Sequence, residues 1–149
     1  MKTKYIEMLA EYYRLEKEEN NIYKNYAVKK GISESRFQIL YSVYVESAAD
    51  ITQTDICEMW DVPLQTINTS LKQMAQEGII ELVGDENNRR RKHVKLTITG
   101  EKLAEKLVAP IIKAENDAFV ALSETEQIQL LNLTKKQLHL LKEYIDKTK

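Results

Sequence analysis

The side chains with chemistry to offer lie between positions 65 and 95. Residues 87–95, Asn-Asn-Arg-Arg-Arg-Lys-His-Val-Lys, carry five basic side chains and no acidic one. Just upstream, Gln65, Thr66, Asn68, Thr69 and Lys72 bring amides, hydroxyls and an ammonium close together. Amide and hydroxyl side chains pair with base edges and thymine methyls, and arginines are drawn into a narrow minor groove by its negative potential. Catalysis and metal binding find no comparable set. His93 and His139 are far apart and Cys57 is the only cysteine, so no pair falls in an H-x-x-x-H or C-x-x-C ligand spacing. The chain has no G-x-S-x-G elbow, no glycine-rich phosphate loop and no dinucleotide fingerprint. Nothing nominates a catalytic group, and no cofactor or metal is expected.

The surrounding sequence supplies elements suited to presenting those side chains. Thr52-Gln53-Thr54-Asp55 is a short-acid capping box, which opens a helix running to Trp60 that should bury Ile56, Cys57 and either Met59 or Trp60. After the brief linker Asp61-Val62-Pro63, Pro63 suits the first turn of a second helix because its missing N–H costs nothing there. That helix spans 63–77, puts Leu64, Ile67, Leu71 and Met74 on one face and ends at Gly78. Two short helices so joined make a helix-turn-helix. The opposite face of the second helix then presents Gln65, Thr66, Asn68, Thr69 and Lys72. Ile79–Val83 reads as a strand, 84–92 as a charged loop and His93–Ile98 as the return strand, with Val94, Leu96 and Ile98 alternating with polar residues. The basic run is therefore the tip of a hairpin, a wing following the two helices.

Longer helices flank this region. From Lys4 to about Lys30 the residues Ile6, Leu9, Tyr12, Tyr13, Leu15, Ile22, Tyr23 and Tyr26 make one amphipathic helix, closed by Gly31. Ser33 caps a second, carrying Phe37, Leu40, Tyr41 and Tyr44. After Gly100 the chain returns to helix, with a bend expected near Pro110. Ser123-Glu124-Thr125-Glu126 is a capping box for a last helix that is apolar on more than one side, through Ile128, Leu130, Leu131, Leu133, Leu138, Leu140, Leu141, Tyr144 and Ile145. One small domain cannot cover all of that surface, so the first and last helices read as a shared dimer core.

The totals agree with one mainly α domain bearing a small β wing. The chain has 149 residues, of which 43% are hydrophobic and 30% charged, enough apolar matter for a core and too much for disorder. Only four glycines and two prolines occur, against a turn-rich all-β fold. A single cysteine excludes an internal disulfide framework, and no apolar run reaches membrane-spanning length. A soluble cytoplasmic protein with no membrane partner is expected. The net charge of −1 averages unlike parts, with acidic surplus in the terminal helices and basic residues on the wing.

In this order of elements the chain resembles the MarR family of winged-helix transcriptional regulators. The resemblance is carried by I-T-Q-T-D-I-C-E-M-W at 51–60, P-L-Q-T-I-N-T-S-L-K-Q-M-A-Q-E-G-I-I at 63–80 and D-E-N-N-R-R-R-K-H-V-K-L-T-I-T-G at 85–100. The last is the most specific, an acid followed by Arg-Arg and L-T-x-x-G, and it departs at Asn88, where Asp is common. The resemblance implies a single domain over 1–149, with dimerisation helices at 1–32 and 100–149 around a winged helix-turn-helix lobe at 33–99. It further implies a homodimer on a pseudo-palindromic double-stranded operator, with Arg89, Arg90, Arg91 and Lys92 of the wing in the minor groove. Regulators of this type usually answer to a small molecule; Tyr12, Tyr13, Tyr41 and Tyr44 are the candidate lining for an aromatic effector, although aromatic stripes mostly pack helix seams. Cys57 has no basic neighbour and Glu58 beside it, and so is expected to be inert. The competing class is a helical dimer using a degenerate winged helix to dock another protein.

Overall fold

A computed structural model describes residues 2–46, 50–88 and 90–148. By its contacts the chain divides into two units, Met1–Val108 and Ala109–Lys149.

The first unit opens with α1 (Lys2–Lys29), which Gly31 follows at φ +70°. The left-handed backbone there is open to glycine at little cost. The seam of α1 with α2 (Glu34–Val45) lies near the C-terminal end of α1, where Ala27 is fully buried and Tyr26 packs edge-on against Phe37. Earlier in α1, Ile6, Leu9, Leu15 and Ile22 are exposed. Ser33 caps α2 by accepting the Arg36 N–H. α2 is the centre of the unit: Phe37, Ile39 and Leu40 are almost wholly buried and meet α3 (Gln53–Trp60), α4 (Leu64–Gln76) and α5 (Ile98–Leu107). Ile56 of α3 and Ile67, Leu71 and Met74 of α4 complete the core. Burying each such side chain contributes about 1.5–3 kcal/mol.

The capping box at Thr52 forms as its spacing predicts. Asp55 Oδ2 accepts the Thr52 N–H at 2.8 Å and its hydroxyl at 2.7 Å, while Thr52 Oγ1 accepts the Asp55 N–H at 3.3 Å. These bonds hold the Asp55 carboxyl below the usual carboxylate range. Asp61 turns the chain between α3 and α4 in the left-handed region at φ 50°, a conformation Asp tolerates better than most residues. Pro63 stands one place earlier than expected, as the extended N-cap of α4. Some burial expectations change. Cys57 is half-buried, and of Met59 and Trp60 the first is exposed and the second half-buried; Leu64 is 47% exposed, while Ser70 fills the buried row with Ile67, Leu71 and Met74. The sequence period could not see that Leu64 begins the helix, at the edge of the packed face.

β1 (Ile80–Gly84) pairs antiparallel with β2 (Lys92–Leu96), Ile80 opposite Leu96 and Leu82 opposite Val94. A third short pairing escaped the sequence: Thr52 bridges His93, and the Val94 N–H donates to the Ile51 carbonyl at 2.9 Å. The strand also ends earlier than its alternation predicts. Thr97 is the N-cap of α5, and Ile98, expected to face inward in β2, is the first helical residue and 74% exposed. Thr97 wins because its N–H and hydroxyl bind the Gly78–Ile79 corner, donating to Ile79 O at 3.1 Å and Gly78 O at 2.6 Å, while Oγ1 accepts the Gly100 N–H at 3.0 Å. Gly100 therefore lies inside a helix, and a Cβ on it would sit 1.9 Å from the Ile79 carbonyl oxygen.

The second unit is a helix pair, α6 (Ala109–Val120) and α7 (Glu124–Asp146). The helical trace from α5 is interrupted at Val108, since Pro110 has no N–H for the Lys106 carbonyl. Gln127 closes the turn by donating its amide to the Phe119 and Leu122 carbonyls at 3.1 and 2.8 Å. The Ser123–Glu126 capping box forms as expected. Among its described residues α7 buries none, and Leu131, Leu138 and Ile145 are all about half exposed. Among the described residues, no helix is long and apolar enough to cross a membrane.

Candidate nucleic-acid interface

α4 owes its position to its apolar row on α2 and α3, which turns the other side outward. Gln65, Thr66, Thr69 and Lys72 are exposed there, while Asn68 is half-buried. The first three line one open groove of about 510 Å³ with Ser35, Pro63 and Ser70. Ser35 and Pro63 were missed because no local spacing reveals that the start of α2 lies against α4. Arg36, the next residue of α2, forms a two-pronged ion pair with Glu77, through Nη1 to Oε1 at 3.2 Å and Nη2 to Oε2. That pair ties the C-terminal end of α4 to α2.

The wing tip is built from side-chain-to-backbone turns. Asp85 Oδ1 accepts the Asn87 N–H at 2.9 Å and Asn88 Oδ1 accepts the Arg90 N–H at 3.1 Å. Main-chain bonds from Asp85 N–H to Arg91 O and from Arg91 N–H to Asn88 O close the loop. Asn88 thus shapes the tip through a backbone bond, which needs no charge. Arg90, Arg91 and Lys92 are exposed, and Arg89 lies outside the described residues. His93 sits beneath the tip, with Nε2 3.4 Å from Asp85 Oδ2 and Nδ1 3.3 Å from the Asp50 carbonyl. The Asn87 N–H first, and His93 after it, hold the Asp85 carboxyl below its ordinary range. Lys95 faces Asp50 at 3.8 Å.

The tyrosines fall into separate settings. Tyr12 and Tyr13 pack edge-on against each other at 5.7 Å on exposed α1. Tyr41 joins a cluster with Tyr23 at 6.3 Å, Phe37 at 6.1 Å and Trp60 at 5.4 Å. Tyr44 donates to Glu105 Oε2 at 2.6 Å, which raises its own pKa and ties α2 to α5. A cleft of about 330 Å³ opens beside this cluster, lined in part by Tyr23, Phe37, Gln38 and Trp60. Trp60 was not marked as a site residue, and only its aromatic type could have suggested it. Burial first, and Glu58 after it, push the Cys57 thiol up, so it is a weak nucleophile. Among the described residues, no group of three His, Cys, Asp or Glu side chains could hold a metal ion.

The MarR family profile matches residues 30–91, from the end of α1 to the wing tip. Similar solved structures extend the likeness over most of the chain. MepR of S. aureus in its DNA-binding conformation is 23% identical with a TM-score of 0.73, covering 89% of this chain and 98% of that one. The MepR–DNA complex of S. aureus gives 23% and 0.65, over 87% and 94%. NMB1585, a MarR family regulator from Neisseria meningitidis, gives 22% and 0.78, over 95% and 99%. Among curated protein sequences none matches. The profile match takes in less than half of the chain, and the solved structures share its architecture well beyond residues 30–91: the fold is that of a winged helix-turn-helix.

Proposed function

We propose that the chain works as a homodimeric, sequence-specific DNA-binding repressor that a small-molecule effector releases. In this reading α4 enters the major groove of a pseudo-palindromic operator and offers Gln65, Thr66, Thr69 and Lys72, with Asn68 at the edge. The wing tip lays Arg89, Arg90, Arg91 and Lys92 along the adjacent minor groove. The observation that carries it is the outward polar face of α4, followed directly by a hairpin whose basic tip is exposed. The solved complex of S. aureus MepR with DNA supports it. Residues 33–99 are then the reading lobe, and 1–32 and 100–149 join the two copies. The half-exposed leucines of α7 and the exposed apolar residues of α1 support that division, being surface a second copy would cover. The cleft beside Tyr23 and Trp60 supports an aromatic effector near Tyr41, with Tyr12, Tyr13 and Tyr44 as further proposed lining.

The test is a binding titration against duplex DNA from upstream of the chain's own coding sequence, at about 50 and 200 mM salt. Selective binding that weakens steeply with salt is expected. Absence of binding to any duplex, at either salt, would contradict the proposal and leave a protein-docking dimer as the better reading.

A further inference from the structure

The groove over α4 contains more hydroxyl groups than it has to offer a ligand. Of its six lining residues, Ser35, Thr66, Thr69 and Ser70 carry hydroxyls. Three of these are engaged within the protein. Ser35 Oγ and Ser70 Oγ share a hydrogen bond at 2.6 Å, and Thr69 Oγ1 donates to the Gln65 carbonyl at 3.1 Å. A threonine whose hydroxyl turns back to the carbonyl four residues earlier directs its methyl group away from that carbonyl. Pro63, on the same groove, adds a ring with no N–H. The groove on the outer side of α4 thus offers carbon at Thr69, with the Pro63 ring elsewhere on its lining.

Among the four bases only thymine places a methyl group in the major groove. Resting on the DNA-binding reading above, we propose that the Thr69 methyl group, on the lining of this groove, receives a thymine 5-methyl group. Thr69 is then a specificity-determining residue that reads thymine through carbon contact rather than through its hydroxyl. Thr69→Val keeps the methyl group and removes the hydroxyl; Thr69→Ser does the reverse. Thr69 is exposed, so both variants should give the circular dichroism of the wild type.

The experiment uses a wild-type-selected operator in which each thymine is replaced in turn by uracil, which lacks only the methyl group. For wild type and Thr69→Val, one uracil position in each half-site should weaken binding about fourfold, the value of one buried methyl group. Thr69→Ser should bind the thymine operator about fourfold more weakly and be indifferent to uracil at that position. The proposal is overturned if wild type binds selectively yet tolerates uracil everywhere, or if Thr69→Ser discriminates while Thr69→Val does not. Failure of wild type to select any operator would overturn the DNA-binding reading itself, and this inference with it.

Discussion

Thr97 and Gly100 give the L-T-x-x-G signature its physical content. The threonine caps α5 and donates to the end of the α4–β1 corner, while Gly100 lets the Ile79 carbonyl approach where any side chain would collide. Gly100→Ala should destabilise the protein by at least ~2 kcal/mol, since the collision is with backbone and not with a movable side-chain end. Its check is chemical denaturation, in which an unchanged midpoint would refute the close approach. Asp55 makes a second residue-scale prediction. Its carboxyl is depressed by the Thr52 N–H and hydroxyl, so its contribution is present above the ordinary carboxylate range, near pH 4, and fades as pH falls through the folded value. Thermal midpoints of wild type and Asp55→Asn should differ at pH 7 and converge toward pH 3. A gap that persists at pH 3 would mean that the charge is not what the cap uses. Thr52→Ala, which removes the cap hydroxyl, should cost about 1 kcal/mol.

At the scale of elements, the pieces marked by local chemistry were the legible ones. Gly31, Ser33, Thr52, Gly78 and Ser123 terminate or cap helices where the sequence says they should, because a cap satisfies backbone groups within a few residues of itself. What remained hidden depends on partners distant in sequence. Ile98 alternates perfectly with Leu96 and Val94, yet Thr97 is captured by Gly78 and Ile79, and the strand stops. The Ile51–Val94 bond and the approach of Ser35 to Ser70 likewise join segments some 35 to 43 positions apart, beyond the reach of any periodicity. In the candidate site, the outward row of α4 was readable from its buried row, whereas the half-burial of Asn68 was not. Helix and wing should also fail differently. Arg90→Ala should weaken binding to every duplex and reduce the salt slope by about 1. Gln65→Ala should lose operator affinity while sparing random DNA. Equal losses on operator and random DNA for both variants would remove the division of labour between α4 and wing.

The whole molecule leaves unusual apolar surface uncovered. Leu131, Leu138 and Ile145 recur every seven residues on α7, and none is buried. A second copy is the proposed cover, and Leu138→Glu should shift sedimentation from dimer toward monomer and weaken operator binding with it. A monomeric wild type at micromolar concentration would contradict the dimer. On the proposed DNA-binding reading, the net charge of −1 has a consequence: non-specific affinity for DNA should be modest, with base reading by α4 the expected source of much of the selectivity. The most direct measurement is selection of bound duplexes from a random library by the full chain. The account predicts enrichment of a pseudo-palindromic site whose half-sites lie about 34 Å apart, one turn of duplex. Recovery of unenriched sequences, or of a site without two-fold symmetry, would contradict it.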